Sequence, residues 1–318
     1  MDKIEHKFVS VNGINMHVAE LGEGPVVLFL HGFPELWYSW RHQIMFMASH
    51  GYKAIAPDLR GYGDSMGGVD LNDISKFTIH HLVGDLVALL DGIGVGEEEK
   101  VFVVGHDWGA IIAWYFCLFR SDKIKALVNL SVPFIPRDPN MDLVQQLRAA
   151  FGDDYYVVRF QEPGDIEAEL AKIDIKTVMK RFFSTGRTLN FPKGEGFGDS
   201  PVVSSSWLTD EDLDYYATKF KETGFTGGVN YYRALHKTWE LTAPWQNAKV
   251  VVPTKFVMGD EDLVYYMPGM KDYVHNGRFE KDVSMLKEKI VLKGITHFIQ
   301  QVIPDEINHH ILNFFQKF

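Results

Sequence analysis

Residues 101–110 constrain the fold more than any other segment, because a short strand, a Gly-x-Asp-x-Gly turn and an apolar helix follow one another there. In a tight strand-to-helix turn the apex residue adopts a strained backbone conformation, so the residues two before and two after it must be small. Gly105 and Gly109 meet this requirement around Asp107. The segment predicts a nucleophile elbow with aspartate at its apex. The alternative is an ordinary βα turn in which Asp107 caps the helix.

Short β-branched or apolar runs alternate with helical patterns in both outer parts of the chain. The predicted strands cover residues 5–11, 16–21, 26–30, 54–57, 101–104, 124–130, 254–258 and 289–292, and a closing helix is predicted at 303–315. Strands that alternate with helices indicate an α/β fold with a mostly parallel sheet, and Asn12-Gly13 predicts a hairpin between the first two strands.

The alternation stops between residues 133 and 249, where polar and aromatic helical segments and a Gly/Pro/Ser-rich stretch at 186–206 replace it. This change predicts an inserted domain at 134–249. Residues 1–133 and 250–318 would then form one core domain. A chain of 318 residues has room for both units, since domains average about 150 residues.

Charge and cysteine content exclude several classes of protein. Lys and Arg total 32 against 42 Asp and Glu, so the net charge of −10 disfavours binding to a nucleic acid backbone. The single cysteine, Cys117, cannot form an internal disulfide, and no apolar run approaches the ~20 residues of a membrane helix. The sequence predicts a cytoplasmic protein that does not enter membranes.

Histidine and glycine motifs give no sign of a metal or cofactor. The 13 histidines include no His-Glu-x-x-His pattern. The glycines at positions 92, 94 and 96 follow a helical pattern, whereas a dinucleotide-binding fingerprint must precede a helix. We therefore expect neither a metal ion nor an organic cofactor.

An elbow nucleophile needs an oxyanion hole, and the chain offers one. Such a hole combines the N–H of the residue after the nucleophile with an N–H from the loop after an earlier strand. The segment His31-Gly32-Phe33-Pro34 follows the strand at 26–30. The predicted donors are the Phe33 and Trp108 backbone N–H groups.

An acid and a histidine follow Asp107 in the chain order that elbow hydrolases use. Asp260 and Asp262 come after the strand at 254–258, and His297 comes after the strand at 289–292. Groups at the carboxyl ends of parallel strands meet at one edge of the sheet. The alternative is that Asp262 is a helix cap and His297 an ordinary buried histidine.

These motifs resemble those of the α/β-hydrolase superfamily and, within it, the soluble epoxide hydrolases, above all those of plants. Four of them recur in several hydrolase families: His31-Gly32-Phe33-Pro34-Glu35, Asp58-Leu59-Arg60-Gly61-Tyr62-Gly63-Asp64-Ser65, Gly105-His106-Asp107-Trp108-Gly109 and Gly259-Asp260-Glu261-Asp262. Two in the middle third are more specific: Arg159-Phe160-Gln161-Glu162-Pro163-Gly164 and Gly227-Gly228-Val229-Asn230-Tyr231-Tyr232-Arg233. The resemblance implies an eight-stranded sheet flanked by helices, with residues 134–249 as a helical cap over the active site.

The resemblance also assigns two cap tyrosines, which hydrogen-bond the epoxide oxygen in that family. They match Tyr156 and Tyr232, while a one-residue slip would select their neighbours Tyr155 and Tyr231. The resemblance places the catalytic acid at Asp262, with Asp260 as its rival.

The residue types suit epoxide opening. A carboxylate can displace an epoxide carbon directly, which gives an alkyl ester at Asp107. Tyrosine hydroxyls can donate to the leaving oxygen, and His297, oriented by Asp262, can activate the water that cleaves the ester. Serine at this position would give a stable ether instead. The expected partners are a small hydrophobic epoxide and water, with the protein a monomer or homodimer.

Two residues near the site have open roles, and two other functions compete. Glu35 either orients the water or is a surface carboxylate, and His106 is expected to support the elbow.

A haloalkane dehalogenase has the same fold and nucleophile, but Phe33 lies where many dehalogenases carry a polar residue. A catalytically silent small-molecule receptor would have lost a triad member, whereas all three are present.

Overall fold

The computed structural model of the protein describes residues 3–200 and 206–318. Eight strands form one sheet in the order β1-β2-β4-β3-β5-β6-β7-β8. The strands are β1 Glu5–Val11, β2 Ile14–Leu21, β3 Val26–Leu30, β4 Lys53–Pro57, β5 Val101–His106, β6 Ile124–Leu130, β7 Thr254–Gly259 and β8 Leu286–Leu292. The β1–β2 and β2–β4 pairs are antiparallel and the other five pairs are parallel, so the predicted mostly parallel sheet is confirmed.

Most strand predictions agree with the structure to within two residues, and the hairpin turn has the predicted residues. Asn12 and Gly13 both have positive φ, 42° and 83°, as a tight hairpin turn with the twist of its strands requires. The largest difference is β8, which begins at Leu286 rather than at 289. Its first residues are half polar because β8 is an edge strand, so they lack the apolar signal of the central strands.

In addition to the sheet, the described residues form fourteen α-helices. Three lie before the middle segment: α1 Arg41–Ser49, α2 Ile79–Gly92 and α3 Trp108–Phe119. Seven lie between β6 and β7: α4 Leu143–Phe151, α5 Tyr156–Arg159, α6 Asp165–Leu170, α7 Ile175–Phe183, α8 Asp210–Thr223, α9 Thr226–Arg233 and α10 Leu235–Leu241. Four follow: α11 Met270–His275, α12 Arg278–Asp282, α13 Ile299–Val302 and α14 Pro304–Phe315. Short 3₁₀ helices occur at Trp37–Trp40, Ile74–Phe77, Ser121–Lys123, Ala243–Trp245 and Leu263–Tyr266.

The middle segment carries no strand of the sheet in its described part, as the loss of alternation predicts. The Gly/Pro/Ser-rich stretch forms neither a helix nor a strand over 186–200, and its residues 201–205 lie outside the described part of the chain. Tyr215 of α8 accepts a hydrogen bond from Trp37 Nε1 at 2.8 Å, and Lys219 pairs with Asp64. These contacts hold α8 against the segments that follow β3 and β4 at the carboxyl edge of the sheet.

The core lies on both faces of the central strands. All five residues of β3 and all six of β5 are buried, which is typical of parallel strands covered by helices on both sides. Among the described residues, none of the helices is both long and apolar enough to span a membrane.

Candidate active site

Asp107 lies at the apex of a sharp turn between β5 and α3. Its φ of 52° and ψ of −119° are strained for a residue with a side chain. The glycines that flank it allow the turn to pack tightly, since a Cβ on Gly109 would lie 2.0 Å from the Leu30 carbonyl oxygen and one on Gly105 2.6 Å from the Gly109 carbonyl oxygen. The Asp107 side chain makes no capping hydrogen bond to the described part of α3, so the helix-cap alternative is wrong.

The Asp107 carboxylate is instead held by two other segments. Its Oδ1 accepts a hydrogen bond of 2.8 Å from the Phe33 N–H, in the loop after β3. Its Oδ2 lies 3.5 Å from His297 Nε2. The two oxygens are therefore distinguished by their surroundings, one facing a backbone amide and the other facing an imidazole.

His297 contacts Asp262 through its other ring nitrogen, at 2.9 Å from Nδ1 to Oδ1. The same oxygen accepts the Val264 N–H at 2.9 Å, so Asp262 also caps the 3₁₀ helix Leu263–Tyr266. Asp262 is therefore a helix cap and also the hydrogen-bond partner of His297, so the two interpretations of this residue are compatible. Asp260, the rival acid, accepts the Gly294 N–H at the protein surface.

Burial and charge act in opposite directions on this group of residues. Burial lowers the pKa of His297, but the Asp262 and Asp107 carboxylates outweigh it and hold this pKa well above its ordinary value. Burial likewise raises the pKa of Asp107, yet the hydrogen bond and charge of His297 bring it below the usual value. The pKa of Asp262 is lowered in the same way, against its burial, by the His297 charge. Asp107 is therefore ionised in the resting site.

The two predicted oxyanion donors come from different segments, the loop after β3 and the first residue of α3. The Phe33 N–H already contacts Asp107 Oδ1, and the Phe33-Pro34 peptide bond is cis. The Trp108 N–H is the first of α3, so it has no acceptor within its own helix. The Phe33 amide thus contacts the Asp107 carboxylate and the Trp108 amide directly follows Asp107 in the chain, while their joint role as an oxyanion hole stays a prediction.

Tyr156 and Tyr232 reach the site from the middle segment. Their rings contact each other at a centroid distance of 5.7 Å, and Tyr232 also packs against Trp108. Burial raises the pKa of both phenols well above the ordinary value, so both carry their protons at neutral pH.

The neighbouring tyrosines line none of the cavities around Asp107, although the Tyr155 ring contacts Tyr156 at a centroid distance of 4.8 Å. The Tyr231 hydroxyl donates to the Arg60 carbonyl oxygen at 2.8 Å, and Tyr155 stacks on Phe151. Asp107, Tyr156 and Tyr232 line a cavity of about 480 Å³ with apolar walls, whereas Tyr155 and Tyr231 do not. A second, smaller cavity is lined by Asp107, His297 and the same two tyrosines, Tyr156 and Tyr232.

Glu35 is fully buried, so the surface-carboxylate alternative is wrong. Its Oε2 accepts the Gly32 N–H at 3.0 Å and lies 2.8 Å from His106 Nδ1. Its Oε1 accepts from the Gln300 and Gln301 side-chain amides at 2.8 and 3.0 Å. His106 Nε2 lies 2.8 Å from the His297 carbonyl oxygen, so both of its nitrogens are occupied in supporting the site.

Three residues at the site are absent from the sequence-based prediction. Ser131 Oγ lies 3.0 Å from His297 Nδ1, and Gln300 and Gln301 surround Glu35. Ser131 has a signal in the sequence, because it directly follows β6 at the same carboxyl edge as the predicted residues. The two glutamines lie within α13, and no local pattern connects them with a carboxylate so distant in the chain.

One group of possible metal ligands occurs among the described residues, away from this site. The ligand atoms of His17, Asp58 and Asp64 lie within 4.8 Å of one another. His17 Nδ1 is paired with Asp58 Oδ2 at 2.9 Å and Asp64 with Lys219, so these groups already satisfy each other.

An aspartate elbow on a mostly parallel eight-stranded sheet, with a histidine and an acid on later strands, defines an α/β hydrolase. The α/β-hydrolase fold family matches residues 25–171. Epoxide hydrolase 3 of Siraitia grosvenorii is 56% identical over 100% of both chains, and epoxide hydrolase A of Mycobacterium tuberculosis is 37% identical over 97% of this chain and 96% of its own. The structure of potato (Solanum tuberosum) epoxide hydrolase I superposes with a TM-score of 0.97 at 60% identity, covering 99% of this chain and 100% of that one.

The chain belongs to the epoxide hydrolases of the α/β-hydrolase superfamily, together with the plant enzymes. The family predicted from the sequence is therefore confirmed. Each relative described above is named an epoxide hydrolase, and none a haloalkane dehalogenase or a receptor.

Proposed function

We propose that this chain hydrolyses a small hydrophobic epoxide to a vicinal diol through a covalent ester on Asp107. The observation that carries the proposal is the division of the Asp107 carboxylate. Oδ1 is held by the Phe33 amide, while Oδ2 is on the side of His297. A carboxylate that has one oxygen fixed by a backbone amide and that lines a cavity together with two phenols is arranged to attack an epoxide carbon.

In the first step Oδ2 forms a bond to one ring carbon, and the bond from that carbon to the epoxide oxygen breaks. The oxygen would leave as a strongly basic alkoxide. Tyr156 or Tyr232 donates its proton to this oxygen, and the other phenol hydrogen-bonds to it. The raised pKa of each phenol ensures that the proton is present when the substrate binds.

In the second step a water molecule cleaves the ester. Because the ester has removed the charge of Asp107, His297 first gives its resting proton to the phenolate and becomes neutral. His297 Nε2 then takes a proton from the water, and the resulting hydroxide attacks the carboxyl carbon of Asp107. Asp262 holds the imidazole in the tautomer that has its proton on Nδ1. The oxyanion forms at Oδ1, where the Phe33 and Trp108 N–H groups stabilise it. When the oxyanion collapses, the bond between the carboxyl carbon and the substrate oxygen breaks, and the proton of the new carboxylic acid passes to that oxygen, so the diol leaves. Asp107 is again a carboxylate and His297 keeps the proton taken from water, which restores the resting enzyme.

Glu35 takes part in this proposal as a positioning residue. Its carboxylate fixes the Gly32 amide, next to the Phe33 donor, and through His106 it supports the His297 backbone. That Glu35 also orients the hydrolytic water stays a prediction from the sequence.

Residues 134–249 are proposed to be the cap domain, with 1–133 and 250–318 as the core domain. The seven middle helices support this division, because they supply Tyr156 and Tyr232 while the sheet region supplies Asp107, Asp262 and His297.

We also propose a cytoplasmic location and no nucleic acid partner, supported by one buried cysteine, Cys117, and a net charge of −10. Sedimentation analysis would distinguish a monomer from a homodimer.

A paired assay tests the proposed reaction. Purified protein is incubated with styrene oxide or with a haloalkane of similar size, and diol and halide are measured in parallel, with Asp107→Ala as the control. We expect diol without halide, lost in the variant. Halide without diol would assign the chain to dehalogenase chemistry, and neither product would favour a receptor.

A further inference from the structure

The segment 185–191 of the middle region forms part of the wall of the smaller cavity beside Asp107. Two of its residues, Thr185 and Leu189, line this cavity together with Tyr156. The segment belongs to neither a helix nor a strand of the sheet. Its position therefore depends on individual contacts with neighbouring segments rather than on a regular hydrogen-bond ladder.

Backbone hydrogen bonds join this segment to the residues around Tyr156. The Tyr156 N–H donates to the Leu189 carbonyl oxygen at 3.1 Å, and the Phe191 N–H donates to the Asp154 carbonyl oxygen at 2.7 Å. An isolated antiparallel bridge lies between these two bonds. A shift of the segment 185–191 would therefore move the backbone that carries one of the two proposed proton donors.

The exposed side chain of Arg187 forms a two-point ion pair with Glu261, in the loop after β7. Nε and Nη2 of the guanidinium group donate to the two carboxylate oxygens, each at 2.6 Å. The Arg187 Cζ also lies 4.7 Å from the centre of the Tyr266 ring. Two parallel hydrogen bonds together with ring stacking fix the orientation of the guanidinium group more closely than a single contact does.

Glu261 belongs to the part of the sheet region that holds the proposed acid and base. It directly precedes Asp262, and its own N–H donates at 3.0 Å to the carbonyl oxygen of Ile295, two residues before His297. A Cβ on Gly259 would lie 1.9 Å from the same oxygen, so these two loops are in close contact. The Glu261 carboxylate is therefore attached to both of the loops that supply the imidazole and its partner.

We propose that Arg187 and Glu261 form a clamp that positions Tyr156 relative to Asp107 and His297. One end of the clamp is bonded to the segment of the proton donor, and the other end to the loops of the acid and the base. A typical exposed ion pair contributes little, but this one has two-point geometry and joins residues 74 positions apart that adjoin different walls of one site. The inference rests on the proposed function, because it assigns the pair an effect on the rate of ester formation.

The two steps of the reaction should respond differently to loss of the clamp. Ester formation needs a phenol at the leaving oxygen while the carboxylate attacks, so it depends on the spacing between the middle region and the sheet region. Ester hydrolysis uses His297 and Asp262, whose loops stay joined to each other without Arg187. Loss of the clamp should therefore slow the first step more than the second.

Single-turnover kinetics with styrene oxide test the clamp. For Arg187→Gln at low salt we expect the rate constant of ester formation to fall about three- to fivefold, and that of ester hydrolysis to change less than about twofold, as for the loss of one well-oriented exposed ion pair. Arg120→Gln is the matched control. Arg120 forms a similar two-point pair with Asp122 on the surface and lines none of the cavities around Asp107.

Charge dependence separates positioning from a general loss of structure. Salt screens an exposed ion pair, so rising salt should slow ester formation in the wild type and in Arg120→Gln but leave Arg187→Gln nearly unchanged. Arg187→Lys keeps the charge and should recover part of the rate at low salt, whereas a merely destabilised segment would not be rescued in this way. An unchanged rate of ester formation in Arg187→Gln, or equal slowing of both steps, would overturn the proposal.

Hydrogen exchange separates this proposal from the proposed function, because it needs no turnover. Peptides that cover residues 150–160 and 185–191 should exchange faster in Arg187→Gln than in the wild type, since the bond from Tyr156 to Leu189 opens more often without the clamp. Faster exchange supports the clamp even if styrene oxide is not converted. Equal exchange and equal ester formation in the two proteins, with styrene oxide converted normally, contradict the clamp and leave the proposed function intact.

Discussion

His297 Nε2 lies 3.5 Å from Asp107 Oδ2, so the proposed base and the proposed nucleophile form a buried charge pair in the resting enzyme. Formation of an ester would neutralise Asp107 and leave Asp262 as the single carboxylate beside the imidazole. The pKa of His297 should then fall at the point in the reaction at which a neutral base is needed. The same contact thus stabilises the resting site and prepares the second step.

The first prediction concerns this coupling. Asp107→Asn should lower the pKa of His297, because one of the two carboxylates that raise it is removed. Measurement of the His297 ring resonances by NMR across a pH titration checks this. The same pKa in both proteins would show that Asp107 does not influence the imidazole.

The raised pKa also has a consequence for stability. His297 has a higher pKa in the folded than in the unfolded chain, so its contribution is fully present below about pH 6.5 and is lost as the pH rises through the folded-state value. Urea unfolding across this range should therefore show a steeper decline for the wild type than for Asp107→Asn. A steeper decline in the variant would contradict the assigned charge pair.

The second prediction is a trapped intermediate. His297→Gln removes the base but leaves the nucleophile, so incubation with styrene oxide should add the mass of one substrate to the protein. Intact-mass spectrometry measures the addition, and peptide mapping should place it on Asp107. The double variant His297→Gln with Asp107→Ala is the control and should remain unmodified. An unmodified single variant would count against the two-step mechanism.

The third prediction separates the cavity-lining tyrosines from their neighbours. Tyr156→Phe and Tyr232→Phe should each slow ester formation by about tenfold or more, less than the full effect of a general acid because one phenol remains. Stopped-flow tryptophan fluorescence can follow this step, since Trp108 contacts Tyr232. Tyr231→Phe is the matched control, because its hydroxyl is bonded to the Arg60 carbonyl oxygen. If only the control slowed the reaction, the cap assignment would be shifted by one residue.

The fourth prediction tests the packing of the elbow. Gly109→Ala should destabilise the protein by about 2 kcal/mol or more, because the new Cβ would lie 2.0 Å from the Leu30 carbonyl oxygen and the backbone must move. Thermal unfolding measures the loss. Gly96→Ala, where the nearest atom outside the adjoining residues is 3.8 Å away, should have little effect. Similar melting temperatures for the two variants would show that α3 can shift without cost.

The sequence contained the parts of the site that depend on local spacing. The glycines on either side of Asp107, and the positions of Asp262 and His297 after strands, predicted the elbow and the meeting of three groups at one sheet edge. These features could be predicted because a tight turn restricts its neighbours and parallel strands end at the same edge.

Only the tertiary structure decided the features that depend on packing between distant segments. Tyr156 and Tyr232 face the cavity while Tyr155 and Tyr231 do not, since the orientation of each short helix is set by the rings packed around it. Glu35 is buried because donors from three separate segments satisfy its oxygens. A contact between residues so far apart in sequence exists only once the fold brings them together, and no local pattern records it.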